Sequence, residues 1–180
     1  VLIKIHATTA AQPDTEIRRL KLPLLFAIPI RIYFGLIKPT RVKILGTEFA
    51  GEVVSTGTAV TLYQSGDQVF GYTGLGMGTY AEYLCLAEKP SALASVMGKM
   101  PTNITYEAAA AVPFGGLEAL HSLRQANIQP GQKVLIVGAG GSIGTYSVQL
   151  AKHYGAKVTG VDKAGKLEML RSIGADHVID

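Results

Sequence analysis

A glycine-rich turn between an apolar strand and a helical pattern constrains this chain more than any other feature. Residues 133–137 form a short, largely apolar and β-branched run, which is typical of a buried parallel strand. The turn at residues 138–144 follows, and after it comes a helical pattern that Gly155 stops. A second strand-like run occupies residues 157–161. Strand, turn, helix and strand in this order predict a βαβ unit with a parallel sheet.

The small residues of this turn have the spacing that a dinucleotide site needs. Ala139, Gly141 and Gly144 fit the G/A-x-G-x-x-G pattern. Small residues let the chain turn tightly and let backbone N–H groups approach a pyrophosphate, and the helix N-terminus adds unpaired donors and a partial positive charge. The alternative is a glycine-rich turn with a purely structural role. We predict that the following residues bind a dinucleotide: Ala139, Gly140, Gly141, Ser142, Ile143 and Gly144.

Asp162 ends the second strand-like run and bears on the choice of cofactor. A carboxylate about 20 residues after the turn accepts hydrogen bonds from the ribose hydroxyls of NAD and repels the 2′-phosphate of NADP. Lys163 follows at once and adds positive charge. The sequence therefore favours NAD, with NADP as the alternative. For Ser142 two roles stay open, a contact to the pyrophosphate and a helix cap.

Composition excludes several classes of partner. The chain has 180 residues and a formal net charge of +4 from 17 Lys and Arg against 13 Asp and Glu, and the basic residues are not interleaved with aromatics, so we expect no nucleic acid. The single Cys85 excludes an internal disulfide and any multi-cysteine zinc site. The longest apolar stretch, residues 22–30, contains two prolines and is too short to span a bilayer, which predicts a cytoplasmic protein without membrane insertion.

Two regions of different character divide the chain. Residues 1–100 have β character with glycine-rich connectors, interrupted by a mixed segment at residues 15–36 that predicts broken helices or a lid-like excursion. From Thr105 the pattern is helical and leads into the βαβ unit. The predicted fold class is α/β plus β. Because the chain begins on one strand and stops on another, we expect an excerpt of a longer protein, poorly active alone and a possible homodimer when complete.

The order of these motifs resembles the medium-chain dehydrogenase/reductase superfamily, in particular its zinc-independent quinone oxidoreductase and alcohol-dehydrogenase-like branch. The resemblance lies in residues 1–8, 45–53, 66–71, 80–82, 108–119, 131–144, 149–152 and 174–180. It implies a GroES-like catalytic domain at residues 1–120 that lacks its N-terminal strand or strands. It also implies the first part of a doubly wound Rossmann domain at residues 121–180, a cleft between the two, and hydride transfer with NAD(P)H. Lys166 falls where such relatives place a lysine near the adenosine.

The resemblance also bears on zinc. Metal-using relatives carry Gly-His-Glu where this chain has Gly46, Thr47 and Glu48, and their first cysteine ligand falls near Ala11. A hydroxyl and a methyl replace imidazole and thiolate, so we expect no metal site.

Without a Lewis acid, the resemblance implies a small-molecule substrate whose carbonyl is already activated, such as a quinone or an enone. The weak candidates for contact with its oxygen are Tyr33, Tyr72, Tyr80, Thr47 and Glu48, each of which could instead have a structural role. Two alternatives stay open. One is alcohol or aldehyde dehydrogenase activity, and the other is a non-catalytic NAD(P)H-binding sensor or structural protein.

Overall fold

The computed structural model describes residues 1–19, 28, 32, 43–89 and 95–180. These residues form two compact units, Val1–Pro113 and Phe114–Asp180. The excursion predicted for residues 15–36 lies outside the described residues beyond Arg19, apart from two single positions. None of the helices in the described ranges is long and apolar enough to cross a membrane.

The first unit is built on an antiparallel sheet of five strands in the order β4-β1-β2-β3-β5. The strands are β1 (Leu2–Thr8), β2 (Glu48–Ser55), β3 (Gln68–Tyr72), β4 (Tyr83–Cys85) and β5 (Val96–Lys99). The strands β4 and β5 are short, with three and four residues. Ile3, Phe49 and Val53 are fully buried between neighbouring strands, and Ile3 pairs with Val53 across β1 and β2.

The described residues of the first unit include the α-helices α1 (Gln12–Arg19) and α2 (Tyr106–Ala110). Thr105 caps α2 as predicted, because its side chain accepts from the N–H of Ala108 at 3.3 Å. The next helix, α3 (Pro113–Gln125), begins at a proline. Pro113 does not interrupt it, since a proline at the first helical position needs no N–H.

The second unit contains the predicted βαβ pattern and its continuation. Its elements are β6 (Lys133–Val137), α4 (Ser142–His153), β7 (Lys157–Val161), α5 (Leu167–Ser172) and β8 (His177–Ile179). The three strands are parallel in the order β6-β7-β8, and every residue of β6 pairs with one of β7. The βαβ prediction is therefore confirmed, and the carboxyl ends of the strands bring the glycine turn and Asp162 to one edge.

The prediction that β6 is buried is wrong for one of its faces. Val134 and Ile136 pack against the core formed by α4, α5 and β7, in which Val148, Val158 and Leu170 are fully buried. The alternate side chains of β6, Leu135 and Val137, are 63% and 77% exposed. Side chains of β6 alternate between partly buried and exposed because α4 and α5 pack on one face of the described sheet.

Candidate functional site

The glycine turn is fastened to the end of β7 by backbone hydrogen bonds. The N–H groups of Gly138 and Ala139 both donate to the carbonyl of Val161, at 2.9 and 3.0 Å. Gly141 N–H donates back to the carbonyl of Gly138 at 3.0 Å. Gly138 has φ +73°, a conformation that glycine adopts without strain. The turn is thus held in one shape by its own backbone and by the neighbouring strand.

Helix α4 packs directly on this turn at Gly144. A Cβ added there would lie 2.3 Å from the carbonyl oxygen of Gly138 and 2.6 Å from Cα of Ala139, both backbone atoms. Ala139 is itself fully buried. The G/A-x-G-x-x-G pattern needs small residues here because the backbone of α4 lies directly against the backbone of the turn.

The N-terminus of α4 leaves a short row of N–H donors for an anion. The N-cap is Gly141, which has no side chain to satisfy them, so Ser142 is not the cap but the first helical residue. A helix provides no acceptor for the N–H groups of its first turn. Since Gly140 N–H donates to Asp162 and Gly141 N–H is used within the turn, the donors that remain belong to residues 142–144. Ser142 and Ile143 are exposed beside them.

Asp162 binds the turn with both carboxylate oxygens. Oδ2 accepts from Gly140 N–H and Oδ1 from Lys163 N–H, each at 2.8 Å. These two backbone donors hold the pKa of Asp162 below its usual value, and the N–H of Lys163 has the larger effect. The carboxylate is therefore ionised at neutral pH, and each oxygen keeps a lone pair that could accept from a ribose hydroxyl.

Lys166 completes the cluster from a short 3₁₀ turn, Ala164–Lys166, just after β7. Its Nζ donates to the carbonyl of Gly140 at 2.9 Å and lies 3.6 Å from Oδ1 of Asp162. The residues predicted to bind the cofactor are thus brought together, from the turn, from the start of α4 and from the segment after β7.

A second cluster lies in the first unit, where β1 ends and β2 begins. Thr8 Oγ1 donates to the carbonyl of Glu48 at 2.7 Å, and Thr9 Oγ1 donates to Oε2 of the same residue at 2.7 Å. The carbonyl of Thr47 accepts from Thr73 N–H at 2.7 Å. Glu48 is only 6% exposed. Two of the predicted substrate-side residues, Thr47 and Glu48, therefore have structural hydrogen bonds at this corner.

Tyr80 lies at the same corner, over Gly46. Gly46 has φ +90°, and a Cβ there would lie 2.5 Å from Cδ1 of Tyr80, so the ring packs on the bare backbone. Tyr80 N–H donates to the carbonyl of Leu45 at 3.0 Å. Burial, the charge of Asp14 and a hydrogen bond with that carboxylate raise the pKa of Tyr80 to about 12. The phenol is thus protonated and already partnered.

Asp14 is the residue that sequence reasoning missed. It is 5% exposed, and its Oδ2 accepts from Ala11 N–H at 2.9 Å at the start of α1. An acid three residues after the position that precedes a helix is a recognisable capping pattern, but nothing in the sequence pairs it with Tyr80. Tyr72 ends β3 opposite Glu48. Tyr33 lies outside the described residues.

Comparison with known proteins identifies the family. The Alcohol dehydrogenase GroES-like domain family matches residues 1–96, and the family described as Zinc-binding dehydrogenase matches residues 142–180. The chain belongs to the medium-chain dehydrogenase/reductase superfamily, in its quinone oxidoreductase branch. The GroES-like and Rossmann-like folds predicted for the two parts are thereby confirmed.

Three relatives illustrate this membership of the medium-chain dehydrogenase/reductase superfamily. A quinone oxidoreductase-like protein 2 homolog of Nematostella vectensis is 38% identical, over 79% of this chain and 38% of the relative. The 2-methylene-furan-3-one reductase of Solanum lycopersicum is 37% identical, over 75% of this chain and 36% of the relative. The crystal structure of Escherichia coli quinone oxidoreductase complexed with NADPH superposes with a TM-score of 0.74 at 27% identity, over 99% of this chain and 49% of that one. The chain thus spans half or less of these relatives.

One of the two families that match this superfamily member is named for zinc. The stretch it matches, residues 142–180, contains no cysteine. Across the described ranges, no three His, Cys, Asp or Glu side chains are grouped so that they could hold a metal ion. Thr47 carries a hydroxyl and Ala11 a methyl, and neither group is among the usual ligands of zinc.

Proposed function

We propose that this protein is a zinc-independent, NAD(P)H-dependent oxidoreductase that transfers hydride to a quinone, an enone or another activated carbonyl compound. One observation carries the proposal: the turn of residues 138–144 leaves three N–H donors at the start of a helix and places Asp162 and Lys166 beside them. Relatives named as quinone and enone reductases support the reaction type.

The residues present suit a dinucleotide. The N–H groups of residues 142–144 would bind the pyrophosphate, and the missing side chain at Gly144 lets the helix bring them to the turn. Asp162 and Lys166 would meet the adenosine ribose. When bound, the nicotinamide supplies the hydride, and the protein supplies binding and orientation.

The preference for NAD stays a prediction. In its favour, Asp162 is an ionised carboxylate at the place where a 2′-phosphate would come. Against it, Lys163 and Lys166 add positive charge beside that carboxylate, and the Escherichia coli relative was determined with NADPH. The same proposal includes a catalytic domain at residues 1–120, a cofactor domain at residues 121–180, a cytoplasmic location and a homodimer.

Zinc independence is supported by the donor set. The chain has one cysteine, Cys85, and Thr47 stands in place of the histidine of metal-using relatives. Without metal, a substrate with a built-in electrophile is favoured, because hydrogen bonds and positioning then suffice to stabilise the product anion.

The test, made on the full-length protein, is single-turnover oxidation of bound NADPH or NADH by three acceptors: a simple quinone, a conjugated enone and a saturated aldehyde. The protein is first treated with a strong chelator. We expect oxidation by the quinone or the enone and none by the aldehyde. Oxidation by the aldehyde alone would indicate a dehydrogenase of simple carbonyls. Tight binding with no oxidation by any acceptor would indicate a sensor instead of an enzyme.

A further inference from the structure

The first turn of α4 lies against the first turn of α3, and the point of contact is Gly115. A Cβ at Gly115 would lie 2.6 Å from Oγ of Ser142, 3.0 Å from Cδ2 of Tyr146 and 3.1 Å from the carbonyl oxygen of Ser142. Gly115 itself is buried. The bare backbone of α3 therefore forms one wall of the space that the Ser142 hydroxyl occupies.

The buried face of α3 increases in size along the helix. It contains Gly115, Ala119 and Leu123, which lie four residues apart and so share one side. Near the ends of α3 and α4, Leu123 and Tyr154 line the same cavity. The two helices thus run side by side in the same direction. Because the smallest residue comes first, they can approach most closely at their first turns, where the N–H donors of residues 142–144 lie.

The Ser142 hydroxyl is available to a ligand. Ser142 is the first residue of α4, and it is exposed. Its carbonyl accepts from Thr145 Oγ1 at 3.0 Å, whereas its hydroxyl has no hydrogen-bond partner within the described ranges. A hydroxyl beside the N–H groups of a helix start can donate to the same anion that they bind.

The orientation of this hydroxyl depends on Gly115. A serine side chain has three staggered positions, and Oγ occupies the one that a Cβ at residue 115 would close. The other two close atoms, at 3.0 and 3.1 Å, would need to move by only a few tenths of an ångström. An alanine at residue 115 would therefore turn the hydroxyl away and leave α4 in place. The case of Gly144 is different, because there both close atoms are backbone.

We propose that Gly115 is a positioning residue for the dinucleotide, and that its missing side chain keeps the Ser142 hydroxyl in the orientation that binds the pyrophosphate. This step rests on the function proposed above. NADH and NADPH share the same pyrophosphate, so the loss of this contact weakens the binding of both by the same factor.

The experiment is a double-mutant cycle on the full-length protein. NADH and NADPH are titrated into wild type, Gly115→Ala, Ser142→Ala and the double variant, and binding is followed by cofactor fluorescence. We expect each single variant to bind both dinucleotides about tenfold less tightly, which is the effect of one lost hydrogen bond to an anion. The double variant should also lose about tenfold, because without Oγ the added methyl group displaces nothing.

Two measurements separate this role from a merely structural one. The melting temperature of Gly115→Ala should not fall below that of wild type by more than a few degrees, since alanine favours a helix over glycine. Gly57→Ala is the matched control, because nothing lies within 4 Å of a Cβ at that position, and it should bind both dinucleotides like wild type. If Gly115→Ala alone does not fold, the double variant replaces it and should bind both dinucleotides as Ser142→Ala does.

Several results would overturn the proposal. A loss of about a hundredfold in the double variant would show that the two residues act independently. Wild-type affinity in Gly115→Ala would show that the glycine does not orient the hydroxyl, and wild-type affinity in Ser142→Ala would show that the hydroxyl does not bind. A loss confined to one dinucleotide would place the effect at the ribose. Failure of the wild-type protein to bind either dinucleotide would instead overturn the proposed function.

Discussion

The substitution Gly144→Ala tests the packing of helix α4 on the glycine turn. An alanine Cβ would lie 2.3 Å from the carbonyl oxygen of Gly138, where ordinary contacts are 3.4 Å or more, a shortfall of about 1.1 Å. The second close atom, Cα of Ala139, is also backbone. No rotamer change can relieve this overlap, so the helix must move away from the turn by about an ångström.

The expected magnitude follows from two opposing terms. Alanine favours the helix by about 0.5–1 kcal/mol over glycine, and overpacking costs about 1–3 kcal/mol. Because both close atoms are backbone, the overpacking cost should lie in the upper half of that range, which leaves a net loss of about 1–2.5 kcal/mol. In a protein of this size such a loss lowers the melting temperature by about 2–10 °C. The N–H groups of residues 142–144 move with the helix, and misaligning one hydrogen bond to a pyrophosphate should cost about tenfold or more in affinity.

The assay is thermal unfolding together with NADPH titration for three variants. Gly165→Ala is the control, because nothing lies within 4 Å of a Cβ at that position. Gly141→Ala should be intermediate, since its Cβ would lie 3.3 Å from the carbonyl of Gly138. If Gly144→Ala melted and bound NADPH like Gly165→Ala, the reasoning that backbone contact positions the donors would be refuted.

Three further predictions concern charge and metal. The pKa of Asp162 is lowered in the folded protein, so its contribution to stability is present above the usual pKa near 3.8 and is lost as the pH falls through the folded pKa. The free energies of unfolding of wild type and Asp162→Asn should therefore differ at pH 7 and converge in acid. Burial and the charge of Asp14 raise the pKa of Tyr80, so Asp14→Asn should lower the Tyr80 titration, identified as the one that Tyr80→Phe removes, from about 12; an unmoved titration would contradict the pairing. Chelation should leave quinone turnover unchanged, and loss of turnover restored by zinc would show the donor-set argument to be wrong.

The shape of the glycine turn could be predicted from sequence because its determinants are local. Ala139, Gly141 and Gly144 lie within one strand–turn–helix unit, and their spacing reflects contacts between residues a few positions apart. Asp162 could be placed at the strand end for the same reason. What sequence did not show is that its carboxylate binds Gly140, since this depends on the parallel pairing of β6 with β7.

The corner of the first unit was less predictable because its contacts join distant segments. Thr8 and Thr9 meet Glu48 only after β1 and β2 pair, and Tyr80 reaches Gly46 through a hydrogen bond to Leu45. Threonines show no hydrophobic periodicity that would indicate which face they share, so their contacts at this corner could not be predicted from the sequence. Tertiary pairing, not local propensity, assembles this part.

The state of Tyr80 also restricts the chemistry that the proposed function can use. A general acid works best when its pKa lies near the working pH, and a phenol with a pKa of about 12 is a poorer proton donor than an ordinary tyrosine. Asp14 accepts its hydrogen bond, so the proton is already engaged. A substrate that required a strong acid at its oxygen would be reduced slowly by such a group. Quinones and enones form stabilised anions that can wait for a proton from water, so a Tyr80 in contact with the substrate would suit the proposed substrates better than simple ketones.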